Sequence, residues 1–117
     1  MGQGFLIDTN AIIDYLDEKL PENGLNFIDG LHIQLSVISR IELLAWRNVP
    51  EEQLQVVKDF VNVSRILGLD EDIVLQSIEI RRNYRLKLPD AIIAATATAK
   101  NLVLITRNIK DFASARA

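Results

Sequence analysis

The chain has 117 residues, 49% of them hydrophobic and 25% charged, with Lys+Arg 13 against Asp+Glu 16 for a formal net charge of −3. That size fits a single domain, residues 1–117. The composition excludes a disordered chain, a membrane span of the roughly 18 apolar residues required and, with no cysteine at all, any disulfide or thiolate chemistry; the charge argues against a basic, non-specific nucleic-acid binder.

Phe5-Leu6-Ile7 reads as a short buried strand that ends at Asp8-Thr9-Asn10, a turn or helix start. No basic stretch precedes a long apolar core here, so a signal peptide is not expected. Ala11-Ile12-Ile13-Asp14-Tyr15-Leu16 has helical spacing, and Pro21 is expected to stop that helix. Asn23-Gly24 is turn chemistry, with a short helix expected over 25–31. Residues 32–37 alternate as a second strand, and Ile38, Ile41, Leu44 and Ala45 recur at helical spacing over 38–47. Pro50-Glu51-Glu52 opens another helix, with proline and acids suited to its first turn. Residues 63–69 form a weak strand. Asp70-Glu71-Asp72 caps a long helix running to about residue 86, which Lys87-Leu88-Pro89-Asp90 interrupts. A helix of small residues follows over 91–100, and Leu102-Val103-Leu104-Ile105 is a buried strand ending in Thr106-Arg107-Asn108. Strands separated by helices imply crossover connections, hence an α/β domain with a parallel sheet and helices on both faces.

In open parallel sheets, ligands bind beyond the carboxyl ends of the strands. Asp8 follows the first strand directly, Glu42 stands about six residues past the second, and Asn108 and Asp111 follow the last strong one. Asp90 begins the small-residue helix and reaches the same rim if that helix packs N-terminus inward. Each acid has a plainer reading: Asp8 and Asp90 as helix caps or first-turn acids, Glu42 as a solvated helix face, Asp111 as a loop acid. Gathered together, they are costly. Two carboxylates about 4 Å apart repel by roughly 4 kcal/mol at an effective dielectric of ~20. Oxygen-only ligands, with the single His32 remote from that edge, suit Mg²⁺ or Mn²⁺ rather than zinc. Such an ion supports attack of water on a phosphodiester, with carboxylates orienting or deprotonating the water.

Leu6-Ile7-Asp8-Thr9-Asn10, Ser39-Arg40-Ile41-Glu42-Leu43, Leu88-Pro89-Asp90-Ala91-Ile92-Ile93-Ala94-Ala95-Thr96-Ala97, Leu104-Ile105-Thr106-Arg107-Asn108 and Asp111-Phe112 together resemble the PIN-domain ribonucleases. Among these, the match is nearest to the VapC-type toxins of prokaryotic toxin–antitoxin pairs. The resemblance implies a three-layer α/β/α fold, its short, mainly parallel central sheet of four to five strands flanked by helices. It also implies a cytoplasmic, Mg²⁺- or Mn²⁺-dependent endoribonuclease in which a metal-activated water hydrolyses RNA. Its expected partners are RNA, a cognate antitoxin protein and a second copy of the chain, with no membrane. By the same resemblance Asp8, Glu42 and Asp90 are the acidic core that holds the metal. Thr9 and Asn10 support Asp8, and Thr106 positions the water or the scissile phosphate. Many relatives carry an acid where this chain has Asn108, so Asp111 is expected to complete the site directly or through a water. The tail after Phe112 is short for the family, so a truncated final edge strand is expected.

Arg81, Arg82, Arg85 and Lys87 sit near the end of the long helix. Arg81 and Arg85 are spaced to share a face that meets RNA phosphates, or simply to form a solvated helix end. Trp46 and Phe60 read as packing or interface residues. Apolar residues of 11–20 and 38–62, Tyr15 and Trp46 among them, are candidates for the dimer contacts and the antitoxin groove. Two other classes fit poorly. A phosphoacceptor receiver wants an acidic pair after the first strand and a lysine after the last, where this chain has Asp8-Thr9-Asn10 and Arg107. An aspartyl phosphatase wants a second acid at Asn10. An inactive PIN-like scaffold for RNA or protein is the remaining alternative, and retention of Asp8, Glu42 and Asp90 argues against it.

Overall fold

The alternation of short apolar runs with amphipathic segments becomes four three-residue strands and six helices in the computed structural model, which describes residues 4–17, 22–30 and 32–106. In chain order they are β1 (Phe5–Ile7), α1 (Thr9–Leu16), α2 (Glu22–Asp29), β2 (Gln34–Ser36), α3 (Val37–Leu44), α4 (Glu51–Val63), β3 (Arg65–Leu67), α5 (Glu71–Asn83), α6 (Leu88–Ala99) and β4 (Val103–Ile105). β1 pairs in parallel with β4, Ile7 opposite Ile105, and β2 pairs in parallel with β3, Leu35 opposite Ile66. The two pairs abut through β1 and β2, where Gln34 Nε2 donates to the Phe5 carbonyl at 3.4 Å.

Successive side chains of a strand face opposite ways, and β1 divides the core accordingly. Leu6 enters an apolar cluster with Ile73, Ile80, Ala91, Ile93 and Ala95 of α5 and α6. Ile7 enters a separate one with Ile12, Leu35, Leu43, Val57 and Val61, from the side of α1, α3 and α4. Strands therefore lie between two helical layers, as the sequence led one to expect. The four described strands agree with the expected number and parallel sense, as two adjacent two-stranded sheets, β1–β4 and β2–β3, rather than one continuous ladder. Residues 107–117, with the expected tail and edge strand, lie outside the described residues.

Several boundaries differ from the sequence-based expectation, each for a local reason. Asn23-Gly24, read as a turn, lies inside α2, where burial of Ile28 outweighs their weak helix propensity. Helix α1 closes at Asp17, whose N–H donates to the Ile13 carbonyl at 2.9 Å, before Pro21, which is itself outside the described residues. Helix α5 ends at Asn83 rather than near residue 86, because Leu86 leaves the helical path to enter the core at 4% exposure. The segment 87–90, expected as an interruption, is instead the cap and first turn of α6. Proline is tolerated there because the N–H it lacks has no helical partner to lose.

Candidate active site

Asp8 is the N-cap of α1, with extended backbone (φ −70°, ψ 153°) and Oδ1 accepting from its neighbour Thr9 N at 2.8 Å. The parallel register that sets Ile7 opposite Ile105 continues one residue further. Asp8 N donates to the Ile105 carbonyl at 2.9 Å, and Thr106 Oγ1 donates to Asp8 Oδ2 at 2.9 Å. Asp8 is thus a helix cap and a buried rim carboxylate at once, at 2% exposure. The two readings of it in the sequence were never exclusive.

Glu42 arrives by another route. Ser36 ends β2 and caps α3, accepting from Ile38 N at 3.0 Å, so α3 starts without a loop and carries Glu42 over the same edge. Thr9 Oγ1 donates to Glu42 Oε1 at 2.7 Å and lies 2.9 Å from Ser39 Oγ. A hydroxyl has one proton to give and a carboxylate can only accept, so Ser39 completes the chain by donating to Thr9. Ser39 was not singled out from sequence, although its place one turn before Glu42 was a usable signal. Asp90 enters from a third direction, in the first turn of α6.

Asp8 senses the other two acids. Burial pushes the Asp8 carboxyl above its ordinary value of 3.8, the hydrogen bonds from Thr106 and Thr9 N pull it back, and the charges of Asp90 and Glu42 push it up again. A cleft of about 340 Å³ opens beside them, lined by Asn10, Glu42, Pro89 and Asp90 together with Arg85, Leu86 and Lys87.

This donor set is all oxygen and anionic, which fits Mg²⁺ or Mn²⁺ and not a soft ion. As the side chains lie, no three acidic or imidazole groups among the described residues are gathered tightly enough to grip one ion, and Glu42 is engaged by Thr9. Mg²⁺ does not require three: it keeps several waters and uses one or two protein carboxylates. Asn108 and Asp111, the remaining expected members, lie outside the described residues.

The expected basic helix face does not form. With α5 ending at Asn83, Arg81 and Arg85 no longer share a helical surface. Arg81 Nη1 donates to the Leu86 carbonyl at 2.6 Å, and Arg81 and Arg82 border an apolar cavity of about 580 Å³ with Leu69, Ile78 and Leu88. Only Arg85 and Lys87 line the acidic cleft. Trp46 and Val56 border a third hollow, of about 300 Å³, with Ile13 and Leu16 between α1 and α4. Tyr15 of α1 and Phe60 of α4 pack together, ring centroids 5.9 Å apart.

With this geometry in hand, the chain was compared with known proteins. Residues 5–117 match the PIN domain. Ribonuclease VapC1 of Methanocaldococcus jannaschii is 32% identical over 114 residues, covering 92% of this chain and 77% of that protein. The tRNA(fMet)-specific endonuclease VapC of Salmonella typhimurium is 27% identical over 117 residues, covering 92% and 89%. A chain in a toxin–antitoxin complex from Klebsiella pneumoniae superposes with a TM-score of 0.77 at 34% identity, over 94% of this chain and 91% of that one. An α/β fold with β1 beside β4, acids at the carboxyl edge and a match along almost the whole sequence place this chain in the PIN-domain family.

Proposed function

We propose that the chain is a Mg²⁺- or Mn²⁺-dependent endoribonuclease and the toxin of a VapBC-type pair. The observation that carries this reading is the convergence of Asp8, Glu42 and Asp90 from three separate elements: Thr9 bonds to both Asp8 and Glu42, and Glu42 and Asp90 line one cleft. The ribonuclease names of the curated relatives support the choice of RNA.

When bound, a divalent ion would polarise the scissile phosphate and lower the pKa of a water. Asp8 and Asp90 are the residues that would hold it. Asp8 is kept in place by Thr9 N and Thr106 Oγ1, so its charge is oriented before substrate arrives, which avoids reorganisation during reaction. Glu42, fixed by Thr9, faces the cleft as a second ligand or as the base that takes the proton of the attacking water. Asn10 lines the same cleft as a neutral donor for a phosphate oxygen. Asp111 and Asn108 complete the set in this reading.

The partners follow from two exposed apolar faces. The hollow between α1 and α4, lined by Ile13, Leu16, Val56 and the exposed Trp46, suits an amphipathic antitoxin helix laid into a groove. The relative from Klebsiella pneumoniae was solved as a toxin–antitoxin complex. The broader α5–α6 face, with Leu69, Leu75, Ile78 and Leu88 each at least half exposed, suits a second copy of the chain.

Incubation of total cellular RNA with the purified chain tests the activity. Discrete fragments in Mn²⁺, absent in EDTA and absent with Asp90→Asn, are expected. Fragments that persist in Asp90→Asn, or in chelator, would remove the mechanism. No cleavage by the parent chain would leave the inactive scaffold as the better account.

A further inference from the structure

The cleft that Glu42 and Asp90 line is also lined by two cations, Arg85 and Lys87, and the backbone shows why. Residues 84–87 bridge α5 to α6 as a short strap. Tyr84 and Lys87 at its two ends both have extended dihedrals (φ −138°, ψ 155°; φ −65°, ψ 155°). Alternate side chains of an extended segment point to opposite sides. Leu86 points inward, 4% exposed in the core cluster, so Arg85 and Lys87 are turned outward onto the cleft. The strap is fixed at its centre on both sides: the Leu86 side chain is buried, and its carbonyl accepts from Arg81 Nη1 at 2.6 Å.

The start of α6 adds to the same lip. Its N-cap is Lys87, which makes no side-chain capping bond, because an ammonium has no acceptor to offer. The positive end of the α6 dipole therefore faces the cleft beside two cationic side chains. Neither Arg85 nor Lys87 forms an ion pair with any described residue, although Glu42 and Asp90 line the same cleft. The cleft of about 340 Å³ is thus lined by two cations as well as by two acids.

We propose that Arg85 and Lys87 form a phosphate-binding wall that grips the backbone of single-stranded RNA next to the scissile phosphate. This rests on the nuclease reading and deepens it. The acids alone repel a polyanion, and a cation bound among them neutralises only the phosphate it touches. A strand crossing the cleft needs positive charge for the neighbouring phosphates, and the strap supplies two such charges on a tethered backbone. Contacts of this kind carry affinity and not sequence choice.

The test is binding of a short fluorescent single-stranded RNA across a salt series, in the Asp90→Asn background so that the probe stays intact. Arg85→Gln/Lys87→Gln is expected to bind about tenfold more weakly, and its log–log salt slope to be shallower by about 1.4, since each phosphate contact on a single strand contributes about 0.7. Arg82→Gln, at a residue that borders the apolar cavity and does not line the cleft, is expected to bind like its parent. An unchanged slope in the double variant, or an equal loss in Arg82→Gln, overturns the wall. Cleavage by the unmodified chain is read separately. RNA binding through the wall without cleavage sinks the nuclease reading alone, and cleavage with unaltered binding by the double variant sinks the wall alone.

Discussion

At the scale of single residues, the chain spends stability on Asp8. Burial disfavours its charged form, so the fold binds the Asp8 proton more tightly than the unfolded chain does. The sign follows: this group's contribution to stability is complete below its ordinary value of 3.8 and is lost as pH rises through the higher folded value. Asp8→Asn keeps the shape, still accepts from Thr9 N and removes the buried charge. In EDTA, its melting temperature is therefore expected to exceed that of the parent at neutral pH, with the gap closing as pH falls toward 3.8. A lower melting temperature across that range would show that the carboxylate is not the burden described. A residue selected for the stability of the fold alone would not carry this cost. Asp8 could be named from sequence because Asp-Thr-Asn follows an apolar run. The bonds that hold it could not, since Thr106 is its neighbour only through strand pairing across nearly the whole chain.

At the scale of elements, α5 and α6 pack along their length, and the small residues of α6 make that approach possible. Ala91 and Ala95 are fully buried, and Ile93 nearly so, beside Ile73 and Ile80 of α5. Overpacking such a seam costs about 1–3 kcal/mol. Ala95→Leu is expected to lower the urea midpoint by that cost with little change in m-value; an unchanged midpoint would mean that the seam has room to spare. The Asp70 cap of α5 accepts from Ile73 N at 3.0 Å and pairs with Lys100, just past the end of α6, so the two helices are also tied at one end. Helix identity was legible here from apolar spacing and from Asp70-Glu71-Asp72. Helix ends were less so, because they depend on tertiary burial: Leu86 entering the core stops α5 early, and Ile28 draws Asn23-Gly24 into a helix. That single change at residue 83 also moved Arg85 from a supposed helix face to the wall of the cleft, which no periodicity argument on the sequence would have found.

At the scale of the whole molecule, the parallel crossovers were legible because apolar runs of strand length alternate with helical spacing, and they bring distant acids to one edge. The apolar α5–α6 face was not, since Leu69, Leu75, Ile78 and Leu88 look like core residues until the packing shows them at half exposure or more. If that face joins two copies, Ile78→Asp, which sets a charge in its centre, is expected to halve the native mass measured by light scattering while secondary structure is retained. An unchanged mass would assign the dimer contact elsewhere. Everything functional depends on the carboxylate edge being a cation site. Its most direct test is calorimetric titration of Mn²⁺ into the parent chain and into Asp8→Asn and Asp90→Asn. Binding by the parent that weakens at least about tenfold in each variant, a loss of ~1.4 kcal/mol, is the expected result. Equal binding by all three, or none by the parent, would contradict it.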